Sequence, residues 1–227
     1  PLQIGNFVET AFLHKRTRTL IVTDVVVNVP REPPAVCLAD PTALLFESRD
    51  NPNEKMENTA ASRRKGWWKS VLLALYIKPA VLDLESDGFQ WVEGWQNSFE
   101  AVQGRTLVAP LLSLLLLNRH PEKVIAWADR VAQWNFQRVV PAHFATAPCN
   151  PREFRSAFEF LEEPKPVPSV AALPALVARL MGRTAEPRYS VMGNDMNIDL
   201  EFLQNIDQFI TDKGLAAPAG KLVANTK

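Results

Sequence analysis

Asp24 and His143 are the residues of this sequence whose type and placement could do chemistry. His143 stands in the run Arg138-Val139-Val140-Pro141-Ala142-His143-Phe144, where a short apolar strand gives way to a loop. Asp24 closes the apolar run Thr19-Leu20-Ile21-Val22-Thr23-Asp24. A histidine leaving a strand is well placed to serve as a metal ligand or a general base. A carboxylate ending a strand can bridge metal ions, and together the two suggest a metallohydrolase-like site. The plainer reading has His143 bonding a loop backbone and Asp24 accepting backbone N–H groups, which aspartate does readily.

The other reactive residue types give weaker signals. The sequence has three histidines, His14, His120 and His143, and none forms His-x-His. His14 precedes Lys15 and Arg16 at an expected turn, and His120 precedes Pro121 at an expected helix start. Cys149 follows His143 closely, but a catalytic thiol needs a depressed pKa and a neighbouring base, and spacing shows neither. Trp67, Trp68, Trp91, Trp95, Trp127 and Trp134 could wall a ligand site, although such residues more often anchor cores and interfaces. Arg63, Arg64 and Lys65 read as a solvated basic run.

Composition narrows the class. The chain has 227 residues, 47% hydrophobic and 22% charged, enough for a substantial core. Lys and Arg total 25, as do Asp and Glu, so no global field favours nucleic acid or an anionic membrane. Two cysteines, Cys37 and Cys149, fit a reducing compartment better than a disulfide scaffold. No stretch reaches the ~20 apolar residues of a membrane span. The segment 107–117, interrupted by Pro110 and Ser113, reads as buried core. A chain starting at Pro1 reads as processed or as part of something longer.

Elements must position the two candidates. Segments 7–14 and 19–29 around Lys15-Arg16-Thr17-Arg18 predict a β-hairpin, its second strand covered on both faces. Asp40-Pro41 predicts a helix start and 66–77 a second helix, with a polar loop over 50–64 between them. Segment 87–95 is turn-rich and aromatic, and 97–102 is a short helix stopped by Gly104. Val124, Trp127, Val131 and Trp134 are spaced as one face of a helix over 121–136. A strand over 138–143 follows it. Asn150-Pro151-Arg152-Glu153 reads as a capping box for a helix running to Glu162. Pro164, Pro166 and Pro168 predict a stiff linker, followed by helices over 173–181 and about 197–213, the latter with Leu203, Ile206 and Ile210 on one face. Residues 1–163 are expected to form the domain and 164–227 a proline-rich linker and helical docking arm.

Phe7-Val8-Glu9-Thr10-Ala11-Phe12-Leu13-His14-Lys15, Thr19 to Asp24, Trp127-Ala128-Asp129 and Val140-Pro141-Ala142-His143-Phe144 together resemble a family of cyanobacteria, algae and plants, domain of unknown function 4336. That family looks like a distant branch of the metallo-β-lactamase fold, and the likeness runs over about 7–162. The resemblance implies an α/β fold: a partial metallo-β-lactamase-like αββα sandwich with added helices and a C-terminal extended or helical arm. Relatives of that fold bind zinc or iron through a His-x-His-x-Asp-His loop, a further histidine, a strand-end aspartate and a late histidine. Asp24 matches the strand-end aspartate and His143 the late histidine, a vestigial metal pair. The other positions belong to an N-terminal half that this sequence lacks.

The expectation is therefore a non-catalytic accessory or scaffold protein without a cofactor. Its proposed setting is a chloroplast, stromal or thylakoid-associated, as a peripheral subunit of a photosynthetic assembly. Its partners would be proteins, bound through the C-terminal arm and Trp-rich surfaces, with peripheral association to a membrane complex and no nucleic acid. The alternative is a metal-dependent hydrolase, with zinc or iron, whose remaining ligands lie in the missing half.

Overall fold

The structure is a computed structural model and describes residues 7–85, 88–163 and 199–224. It is mixed α/β. Strands β1 (Phe12–His14), β2 (Thr19–Ile21), β7 (Arg138–Val140) and β8 (Ala147–Pro148) form a four-stranded sheet in the order β1-β2-β7-β8. The expected hairpin is there: β1 and β2 pair antiparallel around 15–18. β2 and β7 run parallel, with Leu20 opposite Val139 and Ile21 opposite Val140. β8 pairs antiparallel to β7. Two small ribbons complete the strands, β3 (Val27–Asn28) with β6 (Thr106–Leu107), and β4 (Leu82–Glu85) with β5 (Gly88–Trp91).

Side chains alternate across a pleated strand, and the registers turn that rule into rows. Leu13, Leu20, Val139 and Ala147 face inward together. Behind them helices α6 (Pro121–Ala132) and α7 (Pro151–Ser156), a 3-10 turn, Glu159–Leu161, and Phe158 just before that turn contribute Ile125, Val131, Phe154, Leu161 and the Phe158 ring to one core. The capping box at Asn150 forms as expected: its side chain accepts from the Arg152 and Glu153 amides, and Glu153 reaches back to the Asn150 N–H.

The inward face of α6 is turned from the expected one. Pro121, Ile125, Ala128 and Val131 are buried, whereas Val124 and Trp127 are half-buried on its flank. Trp134 lies beyond the helix end, also half-buried. The Trp127 ring meets Phe154 and Phe158 at 6.0 and 6.2 Å, so its indole seals the edge of this core rather than its centre.

A second core forms around α3 (Ala60–Tyr76), with Trp67, Val71, Leu72 and Leu75 against Trp91, Trp95, Phe99 and Leu107. α3 begins inside the expected polar loop because Thr59 caps it, accepting from the Ser62 N–H. A short helix not anticipated, α1 (Ala35–Ala39), precedes α2 (Thr42–Glu47). α2 crosses α3 so closely that a Cβ on Gly66 would sit 1.8 Å from the Leu44 carbonyl oxygen. Helices α4 (Gln96–Val102) and α5 (Pro110–Leu115) close this core.

Lys69 fixes the loop after α2. Its side chain is wholly buried, and Nζ donates to the Arg49 carbonyl and the Asp50 carboxylate, both at 2.6 Å. The ammonium lies 5.0 and 5.1 Å from the Trp91 and Trp95 rings, within cation–π range. Lys65 holds the other Asp50 oxygen at 2.7 Å.

The described part of the expected arm packs on the domain. Helix α8 (Glu201–Asp212) sends Leu203, with Leu200 just before it, into the α3 core. Arg119 pairs with Asp207 and donates to Thr211 at 3.2 Å. Val223 then bridges to Glu162. Leu203 thus fills a core position rather than a stripe left open for a partner. Ile206 and Ile210 are half-buried, and Gly214 takes the expected left-handed φ of 64° after the helix. The expected linker at 164–168 and helix over 173–181 lie outside the described residues.

Leu203→Ala should cost about 2–5 kcal/mol in urea unfolding, as buried Leu→Ala changes do, while Phe209→Ala, 57% exposed, should cost well under half of that. Equal small losses would place α8 outside the cooperative core.

Burial lowers the Lys69 pKa from 10.5 to about 8, against the opposing pull of Asp50. Between those values the unfolded chain holds a proton that the folded chain has shed, so this group makes stability rise with pH. Burial raises the Cys149 thiol to about 11 and raises the Tyr76 phenol. Their contributions fall as pH climbs past 9 and 10, the unfolded values, so the Lys69 rise is cleanest between pH 8 and 9. Urea midpoints of wild type should climb across that window relative to Lys69→Met; parallel midpoints would refute the assignment.

Candidate functional site

The candidate site lies where the parallel strands β2 and β7 end. Their ladder runs on one step, from the Val22 N–H to the Val140 carbonyl at 3.1 Å. The two chains then leave the sheet side by side, a common place for sites in α/β folds. The Ala142 N–H donates to the Thr23 carbonyl at 3.0 Å and the Ala145 N–H to the Asn28 carbonyl at 3.2 Å, tying the His143 loop to the segment after β2. Phe144 adopts a φ of 66°, uncommon for a large residue. Its ring lies edge-on to Trp67 at 6.0 Å, which holds the turn.

The structure brings the two sequence candidates together. His143 Nε2 lies 3.0 Å from Asp24 Oδ1. The contact has ion-pair length, but no aligned hydrogen bond from a described residue ends on Oδ1, which is itself shielded from solvent. The imidazole is 68% exposed and can be reached from outside.

Glu9 is the residue sequence reasoning missed. One oxygen accepts from the Thr23 N–H at 3.0 Å and from Thr10 N–H at 3.0 Å. The other accepts from the Thr23 hydroxyl at 2.7 Å and from the Asp24 and Val25 amides at 3.2 and 3.1 Å. Three consecutive amides converging on one carboxylate make an anion-binding concavity, filled here by the chain's own glutamate. Glu9 therefore sets the backbone at Asp24, and through it the carboxylate that meets His143. Its signal in the sequence was only its place inside the 7–15 block.

The remaining candidates fall elsewhere. His14 Nδ1 meets the Thr17 hydroxyl at 2.6 Å in the β1–β2 turn. His120 precedes α6, with Glu122 3.8 Å away. Cys149 is buried at the edge of the α6 core, its thiol pushed up to about 11 chiefly by burial. It is a neutral thiol rather than a nucleophile. Trp67, Trp91 and Trp95 are core residues, while Trp68 is half-buried and donates to the Arg31 carbonyl at 2.8 Å. Lys69, despite its lowered pKa, is sealed from any substrate. Of the basic run, Arg64 pairs with Glu32, and Lys65 with Asp50 and Glu54.

A zinc or iron ion would find two donors here, Asp24 and His143. Among the described residues no three His, Cys, Asp or Glu side chains converge on one point, and a protein zinc site takes three or four protein ligands. The described residues alone do not fit the group.

The molecule is thus a mixed α/β domain with a histidine–aspartate pair at the carboxyl ends of two adjacent parallel strands. It belongs to the family described as domain of unknown function (DUF4336), whose model matches residues 1–160. Comparison with curated proteins finds no match, and comparison with solved structures finds none either. Among the described residues no helix is long and apolar enough to cross a membrane.

Glu9→Ala should leave the Thr23, Asp24 and Val25 amides without their acceptor. A cost of about 1–2 kcal/mol is expected, with faster hydrogen exchange confined to those three amides and Thr10. Unchanged exchange there would show that Glu9 is not their partner in solution.

Proposed function

We propose that this protein is a non-catalytic accessory or scaffold subunit built on a degenerate metallo-hydrolase fold of the αββα type. The observation that carries the reading is how the ends of β2 and β7 are used. The amides a reaction centre could turn toward a ligand are taken by Glu9, and Asp24 Oδ1 is covered beside His143. Such an arrangement keeps the shape of a site while committing its polar groups to the fold. The proposed host is a plastid photosynthetic assembly, with protein partners; this step follows the family resemblance and not the chemistry of the site. With Leu200 and Leu203 packed in the domain's own core, the docking unit would be the domain with α8 attached.

A second reading is a metal-dependent hydrolase that completes its ligand set with residues outside those described here. The Asp24–His143 contact favours it, since it presents two plausible ligands on adjacent strand ends with an accessible imidazole. Elemental analysis of the purified full-length protein, with its intact mass, separates the two. Less than a tenth of an equivalent of zinc or iron is expected. One or more equivalents, lost on His143→Ala, would overturn the accessory reading.

A further inference from the structure

The far end of the same sheet carries a different kind of surface. The β1–β2 turn presents Lys15, Arg16 and Arg18, all exposed. Arg138, also exposed, stands on the neighbouring strand opposite Thr19. The Gln137 N–H donates to the Arg18 carbonyl at 2.9 Å, so the turn and the start of β7 are bound into one corner. Arg18 donates to the Asn135 side chain at 2.6 Å. None of the four cations forms an ion pair with a described residue; other cations such as Lys55, Lys123 and Lys221 share that state, but these four stand together on one turn and the strand bound to it. A chain with no net charge thus concentrates positive charge at one corner.

The outward face of the sheet continues that corner with apolar groups. Arg138 and Val140 point the same way, Val140 lies opposite Ile21, and Ile21 opposite Phe12. Phe12 is 62% and Ile21 41% exposed. Beside Arg138 is a recess of about 260 Å³ lined by Gln137, Arg138, Thr146, Ala147 and Pro148. It is large enough for a phosphate-bearing headgroup, with Arg138 and Thr146 among its lining residues.

We propose that this corner and face form a docking surface for an anionic phospholipid bilayer. The cations complement the headgroup charge, each Lys or Arg near such a surface adding about a fivefold gain in affinity. The exposed Phe12–Ile21 pair has a use at an interface that it would lack with a free anion. A nucleic acid is disfavoured because no series of Phe, Tyr or Trp rings stands among the four cations for successive bases to stack on, Phe12 alone lying on the adjoining face. The proposal is independent of whether Asp24 and His143 do chemistry.

The test is co-sedimentation of the full chain with vesicles of phosphatidylcholine alone, and of phosphatidylcholine mixed with phosphatidylglycerol. Binding is expected only to the mixed vesicles. It should fade between ~0.1 M and ~1 M salt, as the screening length falls from ~10 to ~3 Å. Neutralising Lys15, Arg16 and Arg138 together to glutamine should weaken it about 100-fold. Neutralising the exposed Lys55, Lys213 and Lys221 should leave it unchanged, and circular dichroism checks that both variants fold. In a Phe12→Trp variant, emission should shift to the blue on mixed vesicles. Absent binding, equal binding to neutral vesicles, or equal loss in the two triple variants would overturn the proposal. Binding to immobilised poly-glutamate without binding to vesicles would also overturn it and assign the patch to an acidic protein.

Discussion

The parallel pairing of β2 with β7 is the constraint on which the rest of the structure depends. It joins residues 19–21 to residues 138–140, and a parallel pair needs a crossover connection between its strands. That crossover holds the α3 core, both small ribbons and α6. The pairing rests on very few residues. Leu20 and Val139 stand opposite one another in the buried row, flanked by Leu13 and Ala147. Behind that row the aromatic rings of Phe136, Phe154 and Phe158 fill the space, Phe136 and Phe154 edge to face at 5.8 Å. Short strands can hold such a link because the burial behind them is dense, apolar area being what stabilises burial.

One pairing also explains why Asp24 and His143 meet. Adjacent parallel strands in register release their chains at the same level, and each candidate lies three residues past the last paired position, Ile21 or Val140. The contact is therefore a product of register together with the equal three-residue offset in the two segments. Glu9 then acts on top of the register. By accepting three consecutive amides it compensates polar backbone leaving a sheet, which would otherwise need water or a ligand.

How much of this was legible in the sequence depends on how local the cause is. The hairpin at 15–18, the capping box at Asn150 and the left-handed Gly214 were readable because each is set by a handful of neighbouring residues. The pairing of β2 with β7 was not, since strands of three residues carry almost no periodic signal. The phase of α6 was misread for a different reason. Tryptophan counts as apolar in a periodic pattern, yet its large amphipathic ring sits well at a core edge, and the helix ends before Trp134. Leu203 was read correctly as part of an apolar stripe, but a stripe does not say which surface covers it. Of the site, both candidate residues were legible from their strand-end positions. Glu9 was not, because it reaches its partners from an irregular segment with no pattern of its own.

The same register divides the sheet's surface into two chemical regimes. At the carboxyl ends of β2 and β7 polar groups are drawn inward, onto Glu9 and onto the Asp24–His143 contact. At the opposite end, Arg138 and the cations of the β1–β2 turn face outward, and no described carboxylate answers them. Between the two lies an apolar row, Phe12, Ile21 and Val140, whose exposure decreases toward β7. A face whose only function was to finish the fold would be expected to bury that row or break it with polar residues, because exposed contiguous apolar surface on a sheet invites association. Here Leu13, Leu20 and Val139 already supply the burial that holds the strands, so the fold places no demand on Phe12 and Ile21. Their exposure one row along the same face from the unpaired cations, which stand at the end of the sheet away from the histidine, is the feature of this surface that folding alone does not explain.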